Sequence, residues 1–335
     1  MVGSGFRFGI AGSASYLPRR SIGAEELARL CAIPVDEVAS RYGVTRRYRA
    51  DSDETSSAMA ALAAEQALAQ ANWDPASLDV IVGACGVMEQ PIPGTAALVQ
   101  RRLGLGGSGI PAFDINATCL SFLLALDRVL AGFALGEWRR ALVFSADIAS
   151  AALDYSDPEA SLLFGDGAAA LLLEADGPHE RLAHGFRTYG EAADACRLEA
   201  GGTRLRPHDD LDGFLARSRF QMNGRAVFSA TARRFPGFVE ELLAAASIQP
   251  DAIDLIVPHQ ASAPALEHLK RSLPGGHAKT IDCFAGVGNL IATSLPYALH
   301  LARSEGRMTA GSNVLLIGSS AGISPGGGGG RAGGG

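Results

Sequence analysis

The order of apolar and polar positions along the chain predicts helices that are followed by short buried strands. An alanine-rich stretch over 55–71 has a helical pattern and leads through a proline turn into a β-branched run over 80–82. A second alanine-rich stretch, over 235–246, leads through a similar turn into the apolar run 255–257. We interpret each copy as a helix, a turn and a buried strand.

Two further pairs of segments repeat in the same order. Residues 113–115 correspond to 281–283, and residues 141–145 correspond to 314–318. A single pair could arise because alanine-rich α/β proteins reuse such segments, but three pairs in one order indicate an internal duplication. The sequence therefore predicts an α/β protein built from two related halves.

The predicted domain organisation follows from this repeat. The first half covers 1–178 and the second half covers 179–325, so that the halves meet near Pro178. Within the second half, residues from about 179 to 219 have the composition of an irregular, charged insertion. The tail 326–335 has eight glycines in ten residues, which predicts a disordered segment.

Composition and charge exclude several classes of function. With 47% hydrophobic and 19% charged residues over 335 positions, the chain can bury a large core. The formal charge of -6 does not provide the basic surface that nucleic-acid binding needs, so no nucleic-acid partner is expected. The apolar stretches 119–136 and 161–173 are interrupted by charged residues, which argues against a membrane span. We expect a soluble, cytoplasmic protein that has no membrane partner.

The cysteines limit the chemistry that sulfur can perform. They are odd in number, widely spaced and without a Cys-x-x-Cys pair. Neither a disulfide framework nor a thiolate metal site is expected from this spacing. Any functional cysteine should therefore act as a free thiol.

Cys119 is the candidate nucleophile. The segment 112–126 passes from a predicted strand through a polar turn into an apolar helix. This order places Cys119 at the predicted helix start, where the helix dipole and unpaired backbone N–H groups favour a thiolate and lower the thiol pKa. The alternative is a buried cysteine that packs as a small hydrophobic side chain.

His259 is the histidine that stands where a catalytic partner is expected. It lies just beyond the end of the predicted strand 254–257, whereas the other histidines lie in the polar insertion or among charged or helical sequence. Catalytic residues collect at the carboxyl ends of strands in α/β proteins. His259 is therefore a second candidate site residue.

Asn289 is the third candidate. It follows a segment, 285–288, with three small residues that permit a tight turn before another apolar helix, and its side chain is expected to point out of the core. By the repeat, Asn289 occupies nearly the place that Cys119 has in the first half, so a pseudo-twofold axis would bring the two helix starts together. The alternative is that Asn289 serves only as a helix N-cap.

These residues together resemble the thiolase-fold condensing enzymes, in particular the β-ketoacyl-acyl-carrier-protein synthase III group and its chalcone-synthase-like relatives. The resemblance covers nearly the whole chain and implies a five-layered αβαβα fold from two duplicated halves, in a homodimer. It is carried by the segments 16–18, 54–56, 114–119, 164–168, 222–225, 258–261 and 288–289.

The resemblance also implies the roles of the candidate residues. Cys119 would accept an acyl group from acyl-CoA or an acyl carrier protein, with the backbone N–H groups of Cys119 and Ala321 as donors to the acyl oxygen. His259 and Asn289 would donate hydrogen bonds to a malonyl thioester, on CoA or on the carrier protein, while it loses carbon dioxide. Arg41 would lie at the entrance for CoA or the carrier. No metal and no cofactor is expected beyond the thioester substrate.

The chain departs from the familiar pattern at a few positions. Ser262 stands where relatives carry Asn, Pro325 stands where many carry Trp, and an entrance tryptophan is absent from 36–38. These departures favour a specialised lipid or polyketide pathway over primary fatty-acid initiation. Glu89 adds an acid in the loop expected to approach the dimer partner, where it is either a possible base or a solvated carboxylate.

Three other functions remain open from the sequence. Cys119 could pass its acyl group to a hydroxyl or an amine, or the enzyme could condense two acyl chains without decarboxylation. The chain could also be a catalytically silent scaffold subunit, although such a subunit needs none of the three candidate residues.

Overall fold

The computed structural model describes residues 2–334 as an α/β fold. The strands are, in chain order, β1 (Val2–Tyr16), β2 (Arg20–Gly23), β3 (Arg46–Arg49), β4 (Val80–Gly83), β5 (Ala112–Asp114), β6 (Arg140–Ile148), β7 (Asp166–Ala175), β8 (His179–Phe186), β9 (Cys196–Arg197), β10 (Gln221–Met222), β11 (Leu255–Pro258), β12 (Asn313–Ser320) and β13 (Ser324–Arg331). The helices are α1 (Ala24–Cys31), α2 (Val35–Ser40), α3 (Ser56–Ala71), α4 (Thr95–Arg102), α5 (Ser121–Ala134), α6 (Pro158–Ser161), α7 (Leu211–Ala216), α8 (Gly224–Ala232), α9 (Phe235–Ala246), α10 (Ala263–Ser272), α11 (Gly276–Lys279), α12 (Phe284–Val287) and α13 (Ser294–Ser304). Among the helices of residues 2–334, none has the length and apolar character needed to cross a membrane.

Nine strands are joined by hydrogen bonds in the order β11-β12-β13-β8-β1-β7-β6-β4-β5. The long strand β1 connects the two halves, because its later residues pair with β7 and its first residues pair with β8. The pairing partner of β1 changes at Phe8, which is opposite Ala175 of β7 on one side and His179 of β8 on the other.

The two halves have the same strand order, which confirms the duplicated α/β unit. The first half runs β1-β7-β6-β4-β5, and the second runs β8-β13-β12-β11, with a bridge from Ile256 to Thr280 in the place of β5. In both halves the two inner strands are parallel (β4 with β6, and β11 with β12) and the next pair is antiparallel (β6 with β7, and β12 with β13).

Matching hydrogen bonds support the same correspondence. The Asp79 N–H donates to the Arg140 carbonyl oxygen at 2.9 Å, and the Asp79 carboxylate accepts the Arg140 N–H at 2.9 Å. In the second half, the Asp254 N–H donates to the Asn313 carbonyl oxygen at 3.0 Å, and the Asp254 carboxylate accepts the Asn313 N–H at 2.8 Å. An aspartate thus fixes the start of a parallel strand pair in each half.

The helices cover the strands in five layers. Helices α3 and α4 pack on the outer face of the first set of strands, and α9 and α10 pack on the outer face of the second set. Helices α5 and α13 lie between the two sets in one apolar cluster. Alternation along β7 shows the layering, because Leu172 packs in the α3 cluster and its neighbours Leu171 and Leu173 pack in the α5 cluster.

Two predictions about the second half need correction. Residues 179–186 form β8 inside the sheet, so the irregular segment begins only after Phe186. The glycine-rich tail is not disordered over its described residues, because β13 lies between β12 and β8 and pairs with both. Glycine composition predicts flexibility, but the two neighbouring strands provide the hydrogen bonds that order this segment. Gly335 lies outside the described residues.

Candidate active site

Cys119 lies in a tight 3-10 turn, Thr118–Leu120, that follows β5. The α-helix begins at Ser121, so Cys119 precedes the helix instead of occupying its first turn. The turn is held by two side chains: Thr118 N–H donates to the Asn116 amide oxygen at 2.9 Å, and Ala117 N–H donates to Ser121 Oγ at 2.9 Å. Thr118 adopts a left-handed φ of 52°, which turns the chain sharply just before the thiol.

The Asn289 segment repeats this turn in the second half. Ile291 has a φ of 51°, its N–H donates to the Asn289 amide oxygen at 2.8 Å, and Leu290 N–H donates to Ser294 Oγ at 2.9 Å. The hydrogen bonds show that Asn289 is the counterpart of Asn116. The expected correspondence between Asn289 and Cys119 is therefore three residues out of register, and the counterpart of Cys119 is Ala292.

The two turns meet, as the pseudo-twofold axis predicts. They contact each other directly, and Gly86 lies between them. A Cβ atom at Gly86 would collide with the Ile291 side chain and would approach the Thr118 carbonyl oxygen at 3.2 Å. The absence of a side chain at Gly86 therefore allows the Cys119 and Asn289 turns to approach.

Asn289 is buried, with 5% of its surface exposed, instead of pointing out of the core. Its amide oxygen accepts the Ile291 N–H, but Asn289 is not a helix N-cap, because Leu290 holds that position before the turn 291–293. Its Nδ2 donates to the Ala261 carbonyl oxygen at 3.2 Å, in the loop that follows His259. Because an amide nitrogen carries two hydrogens, one remains for a ligand.

His259 follows the last residue of β11, as predicted from the sequence. Its backbone N–H donates to the Ile317 carbonyl oxygen at 2.8 Å, and its Nδ1 is buried without a hydrogen-bond partner in the described chain. Burial lowers the pKa of His259 to about 4, so the imidazole is neutral near neutral pH. Gly318 allows the close packing here, because a Cβ at that position would lie 2.7 Å from His259 Cβ and 2.9 Å from Leu120 Cδ2.

The Cys119 thiol is less acidic than the sequence predicts. Burial, together with the nearby Cys196 and Asp147, raises its pKa to about 12, although the N–H groups of Ala321 and Cys119 act in the opposite direction. The expected lowering of the pKa at a helix start is therefore wrong, because desolvation outweighs the backbone dipoles. The two N–H groups that favour the thiolate are the same pair that the resemblance assigns to the acyl oxygen.

A cavity of about 380 Å³ lies beside His259. Arg41 and Tyr42 are among its lining residues, together with His259, and the Arg41 side chain is 64% exposed and paired with Glu37 at 3.3 Å. Cys119 and Asn289 do not line this cavity themselves. They contact lining residues instead: Gly318 packs against the Cys119 turn, and Ala261 accepts the Asn289 hydrogen bond.

Glu89 lies away from this cavity. Its carboxylate accepts the N–H of Ser57, in the first turn of α3, at 2.6 Å, and its own N–H donates to Thr95 Oγ1 at 3.4 Å. The carboxylate therefore anchors a helix N-terminus and is not simply solvated. Its role as a base stays a prediction.

Asp147 is a residue that the sequence reasoning missed. It lies near the end of β6, is fully buried, and accepts hydrogen bonds from the loop at Gly86 and from the turn that carries Asn289. A single carboxylate in the apolar run 141–148 was the available signal, because an acid in a buried strand needs partners. Within residues 2–334, no three His, Cys, Asp or Glu side chains are grouped so as to hold a metal ion.

Comparisons with known proteins place this geometry in a family. The profile of 3-oxoacyl-[acyl-carrier-protein (ACP)] synthase III matches residues 113–203, and the profile of its C-terminal domain matches residues 243–328. The β-ketoacyl-[acyl-carrier-protein] synthase III of Rhodospirillum rubrum is 36% identical over 313 residues, which cover 92% of this chain and 94% of that protein. The same enzyme of Laribacter hongkongensis is 34% identical over 310 residues, with 92% and 94% covered.

Solved structures agree with the sequence comparisons. The 3-oxoacyl-[acyl-carrier-protein] synthase III of Aquifex aeolicus superposes with a TM-score of 0.86 at 29% identity, covering 97% of this chain and 100% of that one. The corresponding enzyme of Pseudomonas aeruginosa gives a TM-score of 0.85 at 30% identity, with 97% and 98% covered. With its duplicated halves, its two facing turns and these matches over nearly its whole length, the chain belongs to the β-ketoacyl-[acyl-carrier-protein] synthase III family of thiolase-fold enzymes.

Proposed function

We propose that this protein is an acyltransferase of the 3-oxoacyl-acyl-carrier-protein synthase III type. In this proposal Cys119 takes an acyl group from a thioester and then donates it to a malonyl thioester that loses carbon dioxide. The observation that carries the proposal is the meeting of the Cys119 turn and the Asn289 turn beside the loop that begins at His259. The names of the relatives, which are 36% and 34% identical, support the same reaction.

In the first half-reaction, the Cys119 sulfur attacks the thioester carbonyl and the thiol of CoA or of the carrier protein leaves. The high pKa of Cys119, about 12, keeps the resting nucleophile protonated, so its proton passes to the leaving sulfur of CoA or of the carrier protein as the new carbon–sulfur bond forms. The N–H groups of Cys119 and Ala321 approach the sulfur and stabilise negative charge there. In the tetrahedral intermediate they would serve the acyl oxygen.

In the second half-reaction, the malonyl thioester loses its carboxylate as carbon dioxide and leaves an enolate. A neutral His259 can donate one N–H, and Asn289 has one Nδ2 hydrogen that Ala261 does not use. Both donors would hold the enolate oxygen. The enolate carbon then attacks the acyl carbon, the Cys119 sulfur leaves, and a 3-oxoacyl thioester is released.

The substrates we propose are acyl-CoA or acyl-carrier protein as donor and malonyl-carrier protein or malonyl-CoA as acceptor. The cavity beside His259 would take the pantetheine arm, and Arg41, which lines it and is largely exposed, offers a cation for a phosphate group. No further cofactor enters the proposed chemistry. The departures at Ser262 and Pro325 favour a specialised lipid or polyketide pathway.

We also propose a homodimer in which the loop 85–94 meets the partner. Three apolar side chains of this loop are exposed: Val87 at 37%, Met88 at 45% and Ile92 at 86%. Exposed apolar side chains in one loop are typical of a surface that a partner covers. Light scattering at micromolar concentration would show a mass of twice the chain, and a monomer would contradict this assembly.

The release of carbon dioxide tests the proposed reaction. The protein is first incubated with a panel of acyl-CoAs, and intact-protein mass spectrometry identifies the acyl group that Cys119 accepts. The acylated enzyme is then given malonyl-CoA or malonyl-carrier protein, and carbon dioxide is measured. Normal acylation without carbon dioxide from either malonyl donor would reject decarboxylative condensation and favour transfer to a hydroxyl or amine, or head-to-head condensation.

A further inference from the structure

Asp147 connects the two halves of the molecule at the candidate site. Its Oδ1 accepts the N–H groups of Gly86 at 2.8 Å and Val87 at 2.9 Å, which belong to the first half. Its Oδ2 accepts the N–H of Thr293 at 3.1 Å and the Thr293 hydroxyl at 3.0 Å, which belong to the second half. Asp147 and Thr293 are both fully buried, so no water replaces these partners.

Thr293 ends the same turn that Asn289 begins. The turn residues Ile291–Thr293 form a single 3-10 helix, and Ile291 N–H holds the Asn289 amide oxygen at 2.8 Å. Because Asn289 is joined to this short helix by the chain and by one hydrogen bond, a movement of Thr293 also moves Asn289. The first-half turn has a different support, because Ser121 Oγ bonds the Thr118 carbonyl at 2.7 Å.

The repeat explains why this position matters. Strand β6 corresponds to β12, so the counterpart of Asp147 at the end of β12 is Ser320, next to Ala321. The end of β12 contacts the Cys119 turn, and the end of β6 contacts the Asn289 turn. Each half thus supports the turn of the other half, and among residues 2–334 a carboxylate accepts hydrogen bonds from the Asn289 turn but from no residue of the turn 118–120.

We propose that Asp147 is a positioning residue that fixes Asn289 through Thr293 and so acts on the malonyl half-reaction more than on acylation of Cys119. This proposal rests on the proposed function, because it uses the role given there to Asn289. Asp147 does not touch the substrate in this proposal. Its effect is transmitted by the four hydrogen bonds that its two oxygens accept.

The charge on Asp147 provides an independent readout. Burial raises the pKa of Asp147 to about 6, and the titratable groups that face it are the thiols of Cys85 and Cys119, both with raised pKa values. Above about pH 6 the carboxylate is ionised and accepts all four bonds. Below that pH one oxygen carries a proton, and the bonds to the donors weaken. The malonyl half-reaction should therefore decline as the pH falls through about 6.

Two substitutions separate the second-half contacts from the first-half contacts. Asp147→Asn can keep one oxygen for Gly86 and Val87 but places an NH₂ group against Thr293 N–H. Thr293→Val removes the hydroxyl donor and keeps the backbone N–H, and Thr293→Ser is its matched control because it keeps the hydroxyl. If Asp147→Asn does not fold, the two Thr293 variants still test the proposal.

The experiment measures both half-reactions in each variant. We expect carbon dioxide release from malonyl-CoA to fall about tenfold or more in Asp147→Asn and Thr293→Val, as for the loss of a hydrogen bond to a charged group. Acylation of Cys119 should change by less than about threefold, Thr293→Ser should resemble the unmodified protein, and Asp147→Asn should lose the decline near pH 6. Equal losses in both half-reactions, or an unchanged pH profile in Asp147→Asn, would overturn the proposal.

Hydrogen exchange distinguishes a failure of this proposal from a failure of the proposed function. Asp147→Asn should speed amide exchange over 289–293 and leave 117–121 unchanged. Unchanged exchange over 289–293 overturns the positioning role, whatever the activity. If the unmodified protein releases no carbon dioxide, the proposed function fails, and the exchange result still decides whether Asp147 fixes Asn289.

Discussion

Asn116 and Asn289 form the same pair of hydrogen bonds in the two halves of the molecule. Each amide oxygen accepts the N–H two residues later, and each Nδ2 donates to a backbone carbonyl, Gly86 at 3.3 Å for Asn116 and Ala261 at 3.2 Å for Asn289. Their surroundings differ, because Asn116 is exposed and Asn289 is 5% exposed beside the His259 loop. The duplicated scaffold fixes an asparagine twice, and the proposed mechanism uses the buried copy.

This relationship gives a matched pair of variants. Asn289→Ala and Asn116→Ala lose equivalent hydrogen bonds, but we expect only Asn289→Ala to slow carbon dioxide release, by roughly a hundredfold to a thousandfold, because the proposed mechanism assigns a bond to the enolate oxygen only to Asn289. Acylation of Cys119 should persist in Asn289→Ala. Carbon dioxide released by enzyme that has already been acylated measures the malonyl step separately. Equal effects of both substitutions on that step would show that Asn289 only stabilises its turn.

Cys119→Ala should abolish the acyl adduct and all condensation while the protein stays folded, because the change removes a thiol but little packing. Cys196→Ala is the control, since Cys196 is the neighbouring thiol and is half-buried. Intact-protein mass spectrometry after incubation with acyl-CoA compares the two variants. An adduct that survives in Cys119→Ala, or that disappears only in Cys196→Ala, would place the nucleophile elsewhere.

The reactivity of Cys119 should rise with pH over a wide range. Burial gives its thiol a pKa of about 12, so the thiolate fraction increases with pH and does not level off near neutrality. Iodoacetamide labelling of Cys119, followed by peptide mass spectrometry at pH 6 to 10, measures this dependence. A plateau reached near pH 7 would show that the two N–H groups at the sulfur outweigh desolvation.

Stability should fall as the pH is lowered from 6.5 towards about 4. Burial lowers the pKa of His259 and of His179 from 6.5 to about 4, so over this interval the unfolded chain binds protons that the folded chain does not. Asp147, with a pKa raised to about 6, acts in the opposite direction because its folded form takes up a proton first. Denaturant titrations of His259→Asn should show a flatter pH dependence than the unmodified protein. An identical dependence would mean that His259 is protonated normally in the folded state.

The sequence was sufficient for those parts of the site that have strong local signals. The strand exit at His259 and the polar turn at Cys119 are both visible as a change from apolar to polar positions. The sequence did not show which residues of the two halves correspond at the site, because the hydrogen bonds that match Asn116 with Asn289 depend on side-chain geometry. The direction of the Cys119 pKa was also missed, because it depends on burial by residues distant in sequence.

The glycine-rich tail shows another limit of composition. A run of glycine is typical of a flexible linker, and the same run can form a strand when both neighbours offer backbone partners. In this chain β12 and β8 provide those partners on either side of β13. Nothing within 326–335 itself indicates this pairing, because it depends on strands that lie elsewhere in the sequence.

Two adjacent glycines of this strand test its structure directly. A Cβ atom at Gly327 would lie 2.7 Å from Ile317 Cδ1 and 2.8 Å from the Leu316 carbonyl oxygen, whereas at Gly328 the nearest atom is the Ala183 carbonyl oxygen at 3.5 Å. Gly327→Ala should therefore force the β12 backbone to shift and lower the free energy of unfolding by about 1–3 kcal/mol. Gly328→Ala should be neutral or slightly stabilising, because it restricts the unfolded chain. Urea titrations compare both variants with the unmodified protein, and equal stabilities for all three would show that the tail is not part of the folded sheet.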